Sequence, residues 1–218
     1  MQSLTERHNA PTTLRALSVL AARLAGRPET EDLIAEVEAQ RAAVREAFAA
    51  HEDALVRRMA ATQEVAYRDE LLDEAVMRLS RRMLERVDGR RDDPRYRAVF
   101  VEAPSRAMKP RGGERQRAFV EAVLEAARGD EEAEALQPLL QDVADKAEAL
   151  GRATEQRAKR AAEVLTARQR LQATVEAAQA VYNEAYLKLR LRLPGQRALV
   201  ESFFPTLRAR SSEQPAEA

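Results

Sequence analysis

No cysteine occurs in the 218 residues, which excludes disulfides and thiolate metal ligands but leaves the compartment open. Histidine is almost as scarce. His8 and His51 are the only two, and neither belongs to an H-E-x-x-H motif or to the Glu-x-x-His unit of di-iron helix bundles. His8 falls in the N-terminal residues, and His51, followed by Glu52, reads as helix surface. Charge of one sign is not in excess overall: 36 Lys plus Arg face 36 Asp plus Glu, so no overall field draws the chain to nucleic acid or anionic lipid, and such binding needs a local patch. Apolar runs stay well short of the roughly 18 residues of a membrane-spanning helix, and "MQSLTERHNAPTTL" at the start lacks a basic end followed by an apolar stretch. A soluble cytoplasmic protein is expected. Glycine-rich phosphate loops are missing too, since "RGGE" at 111–114 has neither the spacing nor the Lys-Ser/Thr of a P-loop. The acidic "GDEEAEA" at 129–135 is too short for a cation cage and reads as favourable charge at a helix start. An enzyme, a cofactor and a metal site are therefore not expected.

Present in abundance are helix formers. Alanine supplies 43 residues and arginine 32, against four lysines, while aromatics amount to 4%. That mixture points to an all-α protein rather than a sheet, with a narrow core because much of its apolar content is alanine. The preference for Arg and Ala resembles that of proteins from high-GC bacteria.

Punctuation by Pro and Gly divides the chain. Residues 1–11 are expected to be a flexible N-terminus and 208–218 a disordered tail, with a single elongated helical domain over 12–207. Thr12 or Thr13 caps a first short helix bearing Leu14, Leu17, Leu20 and Leu24, which Gly26 and Pro28 stop. From Thr30 no Pro or Gly follows until Gly89, and Leu33, Val37, Val44, Phe48, Leu55, Met59, Val65 and Leu72 recur mostly at helical intervals. One helix over 30–87 follows, about 85 Å long at about 1.5 Å per residue. Its first turn carries Glu31 and Asp32, favourable to the helix dipole.

A second long helix is expected over 138–193, with Pro138 in its first turn and Pro194 and Gly195 ending it. Steps of four and three from Val143 reach Ala147, Leu150, Thr154, Arg157, Ala161, Val164, Arg168, Leu171, Val175, Ala178, Tyr182, Ala185 and Leu189; eleven of these fourteen positions are apolar. A 3.5-residue period held this long marks a coiled-coil seam. Arg157 and Arg168 on the seam must snorkel outward, pair with a facing acid, or mark a hydrated gap. Two long helices of matched length, joined by some fifty residues, pack as an antiparallel hairpin. The short helices, including one from Gln196 to Phe204, then pack at its two ends. Pairs such as Leu33 with Ile34 and Leu71 with Leu72 widen the apolar face, which suits a four-helix bundle formed by a homodimer.

Between the long helices, 88–137 forms a tip subdomain. Gly89 and Pro94 interrupt the helix, Tyr96, Val99, Phe100 and Val101 form a bulky cluster read as a packed loop, and a third short helix carries Phe119, Val120, Val123 and Leu124 before Gly129. Nine basic residues stand against five acidic ones from Asp88 to Arg117. Arg95, Arg97, Arg106, Lys109 and Arg111 are the candidate partner-binding residues.

No family motif is present. The long Ala-rich amphipathic helices resemble those of granule-coating phasins and of bacterial coiled-coil proteins in composition alone, and no residue role carries over. Three function classes follow. A non-catalytic structural or protein-interaction coiled-coil protein with a protein partner comes first. An amphipathic binder of a membrane, lipid or polymer-granule surface comes second. A phosphate or nucleic-acid binder acting through the basic tip comes third, and nucleic acid is the least favoured partner.

Overall fold

A computed structural model describes residues 3–109, 113–129 and 133–205. The described residues are helical without a strand: α1 (Ala10–Leu24), α2 (Glu31–Arg86), α3 (Pro94–Val99), α4 (Pro104–Ala107), α5 (Glu114–Arg128), α6 (Ala133–Arg192) and α7 (Arg197–Ser202). The long helices α2 and α6 pair as an antiparallel hairpin. Ion pairs record the direction, because Asp32 meets Arg192, Glu36 meets Lys188 and Glu46 meets Arg170. Arg78 likewise meets Asp142. Arg192 also grips Asp32 by two hydrogen bonds, of 2.6 and 2.5 Å, which hold that carboxyl down to about 2.

Where the sequence suggested one domain over 12–207, the chain divides into two compact units, residues 1–54 with 164–218, and residues 55–163. No residue from 55 to 64 or from 154 to 163 is fully buried. In the first unit, α1 and α7 complete a core with the start of α2 and the end of α6. Leu17, Leu20 and Leu24 of α1 lie fully buried with Leu33, Val37, Val44, Tyr182, Leu189 and Val200, each such side chain contributing roughly 1.5–3 kcal/mol by leaving water. The helix begins earlier than Thr12 because Asn9 is its cap, accepting the Thr12 N–H at 3.1 Å. Residues 4–9 are held rather than free, contrary to the flexible N-terminus expected for 1–11. The Asn183 amide exchanges two hydrogen bonds with the Leu4 backbone, Gln179 donates to the His8 carbonyl, and Leu4 is buried. From α1, Arg23 donates to the carbonyls of Ser202 and Phe204. His51, read as surface, is mostly covered, with its side chain 18% exposed.

In the second unit, α3, α4 and α5 cover the facing stripes of α2 and α6. Its core joins Leu72, Val76, Leu79 and Met83 to Tyr96, Phe100, Met108, Val120, Leu136 and Val143. Asp88 and Gly89, both at positive φ, end α2 and let the Gly89 N–H reach back to the Leu84 carbonyl at 2.8 Å, a left-handed helix stop of the expected kind. The packed loop expected at Tyr96, Val99, Phe100 and Val101 is instead helical in part: Pro94 opens a short helix there, as Pro104 does just beyond, where a missing N–H costs nothing. Tyr96, Val99 and Phe100 are buried as anticipated, whereas Val101 is 90% exposed. Pro138 lies inside α6, not in its first turn. The seam residues Arg157 and Arg168 are exposed, which is the outward course among the three open to them. The tail 208–218 lies outside the described residues.

Candidate partner-binding site

The basic tip belongs to the second unit, and its geometry separates into two knots and a remainder. Asp93, the cap of α3, accepts the Arg95 N–H at 2.9 Å, and its carboxyl is held below the usual range first by that bond and then by the guanidinium groups of Arg95 and Arg90. Glu102 gathers the second knot: Arg115 donates to both of its oxygens, at 2.9 and 3.1 Å, and Arg106 approaches at 3.4 Å. Of the candidate residues, then, Arg95 and Arg106 face acids of the same tip. Arg97 and Lys109 are exposed and form no ion pair among the described residues. Arg111 lies outside the described residues. The knots leave a surface of mixed sign, since exposed pairs of this kind contribute little to stability but do occupy the charges.

Beside the tip, α5 and α6 part to form a pocket of about 220 Å³ floored by Leu72 of α2. One wall is Gln116, Arg117, Val120, Glu121 and Leu124, and the other is Ala147, Glu148, Leu150, Gly151 and Thr154. Each set follows helical spacing, so each is a single face of its helix. Val120 and Leu150 supply apolar depth, while Arg117, Glu121 and Glu148 stand at an exposed rim. Gln116 is buried and donates to the buried Asp69 carboxylate at 2.8 Å, fastening the start of α5 to α2. This polar tie satisfies two groups that would otherwise be costly to bury.

Gly151 is the residue that sequence reasoning passed over. Inside a helix glycine costs roughly 0.5–1 kcal/mol relative to alanine, and close packing is the usual reason to retain it. That reason is absent here, because a Cβ at Gly151 meets nothing within 4 Å. The signal was available as the one glycine within the 60 residues of α6. What sequence does not show is that α5 lies opposite.

Among the described residues no helix is long and apolar enough to cross a membrane, and no group of three or more His, Cys, Asp or Glu side chains is placed to hold a metal ion. Compared with protein-family models, curated proteins and solved structures, the chain matches none.

Proposed function

We propose that the chain is a non-catalytic protein-interaction module of the cytoplasm, whose second unit receives an apolar side chain of a partner in the pocket between α5 and α6. The observation that supports this reading is Gly151: the space beside it is open, helix propensity favours alanine there, and glycine deepens the pocket. Size points the same way. A pocket of about 220 Å³ is below the roughly 300–1,000 Å³ of sites that enclose a drug-sized ligand, and it suits an anchoring side chain at the centre of a protein contact. At the rim Arg117 faces outward with Glu121, and Glu148 is paired with Arg152 of its own helix, so the surroundings carry both signs of charge, which steer and orient a partner.

Affinity recovery from a cell lysate tests the reading with three proteins: wild type, Gly151→Leu, and the triple variant Arg106→Glu, Lys109→Glu, Arg111→Glu. All three should keep the same helical circular dichroism. Proteins captured by wild type and lost with Gly151→Leu are the partners expected, and the triple variant should reduce their recovery. Identical captured sets from all three proteins would overturn it.

A further inference from the structure

The first unit carries a second apolar stripe on α6, on the face turned away from its own core. Leu187 and Leu191 are 61% and 83% exposed, and stepping back from them by three and four residues reaches Glu184, Ala180, Ala177 and Ala173, all exposed. The spacing is that of a coiled-coil seam, and it is independent of the buried seam through Val175, Ala178, Tyr182, Ala185 and Leu189. One half of this outer stripe is small and the other half large.

We infer that this face joins α6 to α6 of a second copy of the chain, antiparallel, about a two-fold axis level with Tyr182. Residues equidistant from position 182 then face each other. Leu191 meets Ala173 of the second copy, Leu187 meets Ala177, and Glu184 meets Ala180, so each large side chain enters the space left by a small one. A parallel pair stacks leucine on leucine and alanine on alanine, splaying one end of the helices and crowding the other. Charge selects the same arrangement. On the flank of the stripe facing positions are offset by two residues from those on the seam, so Glu176, which accepts from Gln172 of its own helix at 3.0 Å, comes beside Arg190 of the second copy, and the symmetry repeats the pair. Within its own chain Arg190 donates to the Tyr186 hydroxyl at 3.4 Å, and its charge reaches the Glu201 carboxylate of α7. Glu184, the one charged residue of the stripe, keeps Lys188 of its own helix at 3.8 Å and reaches the edge of the contact beside it. Sliding the register by one heptad step sets Leu187 against Glu184 or against Arg170, so the leucine–alanine match fixes one register.

The assembly does not rest on the pocket of the other unit, and the variant Gly151→Leu should leave its mass unchanged. Because the chain has no cysteine, cross-linking reads the register directly. Single variants Ala177→Cys and Leu187→Cys, mixed and mildly oxidised, should give a covalent dimer, and neither alone should, since in each the two like positions lie ten residues apart along the pair, about 15 Å. Light scattering at high micromolar concentration should give twice the chain mass for wild type and the monomer mass for Leu187→Glu with Leu191→Glu, with helicity retained. A monomeric wild type, a dimer that survives the double variant, or cross-linking of either single variant as readily as the mixture would overturn the inference.

Discussion

Both units complete the same object, a pair of antiparallel helices, and they do so with opposite connectivity. The unit built on residues 1–54 and 164–218 is closed by segments far apart in sequence: Leu4 bonds to Asn183 and Arg23 to Phe204, pairs separated by 179 and 181 residues. The unit of residues 55–163 is closed by what lies between the helices. Ser80 bonds to Tyr96 and Asp69 to Gln116, separated by 16 and 47 residues. The second unit is thus one continuous stretch whose contacts are comparatively local, while the first is assembled from segments that meet only when most of the chain is in place. Local closure costs less entropy, and proteins rich in local contacts fold faster. The difference teaches that one hairpin contains a self-sufficient part and a dependent part.

The largest effect should come from removing residues 1–26. That deletion takes Leu4, Leu17, Leu20 and Leu24 out of the first core, leaving Leu33, Val37, Tyr182 and Leu189 with an open side. Amide hydrogen exchange should then lose its protection over 31–54 and 164–192 and keep it over 65–153. Equal loss in both stretches would break the comparison, showing one cooperative body.

Next in size are single core truncations, one in each unit. Phe100 is 3% exposed, with its ring 5.1 Å from that of Tyr96 and 6.5 Å from that of Phe119. Changing Phe100→Ala should cost about 3–5 kcal/mol, and Leu20→Ala, from a fully buried position, about 2–5 kcal/mol. Each loss should appear in the exchange of its own unit, with the other little changed. A Phe100→Ala loss below about 1 kcal/mol would mean that α3 is only draped over α2 and α5.

What the sequence disclosed follows this division. α2 is legible because no Pro or Gly interrupts it: the sequence predicts a helix over 30–87, and it runs Glu31–Arg86. Residues that depend on a distant partner are not. Leu4 looked like part of a loose end because its partner, Asn183, comes 179 residues later. The sequence predicts the start of α6 at Pro138, yet the helix begins at Ala133; proline that early sacrifices one hydrogen bond, to the Glu134 carbonyl, and the next turn continues. Of the candidate residues, charge pattern identified a basic tip but not that Asp93 and Glu102 would occupy Arg95 and Arg106. The pocket was illegible because its walls come from α5 and α6, and only Gly151 marks it in one dimension.

Gly151 supplies a smaller, opposite-signed test. Since the space for a Cβ is open, Gly151→Ala should raise the stability of the second unit by about 0.5–1 kcal/mol through the unfolded state, read as a higher urea midpoint at unchanged slope. A loss of stability would show that α6 bends at this residue and needs the glycine for its backbone.

The smallest effect sets two buried tyrosines against each other. In the second unit Tyr96 is 5% exposed, and its hydroxyl lies 2.8 Å from that of the buried Ser80. In the first unit Tyr182 is fully buried against Phe204, edge to face at 5.2 Å, and its hydroxyl finds no hydrogen-bond partner among the described residues. Burial pushes its ionisation above the ordinary tyrosine range, as expected of a phenol kept from water. Removing a hydroxyl has opposite consequences in the two places. Tyr96→Phe strands the Ser80 oxygen and should cost about 1 kcal/mol, whereas Tyr182→Phe removes a group whose desolvation is uncompensated and should gain up to about 1 kcal/mol. Exchange of slow amides near each residue would measure both without requiring the two units to unfold together. Opposite signs would show that the first core, despite being closed by segments far apart in sequence, is the more purely apolar of the two. A loss at both positions would mean that the Tyr182 hydroxyl is bonded to a buried water, and that both cores depend on polar ties.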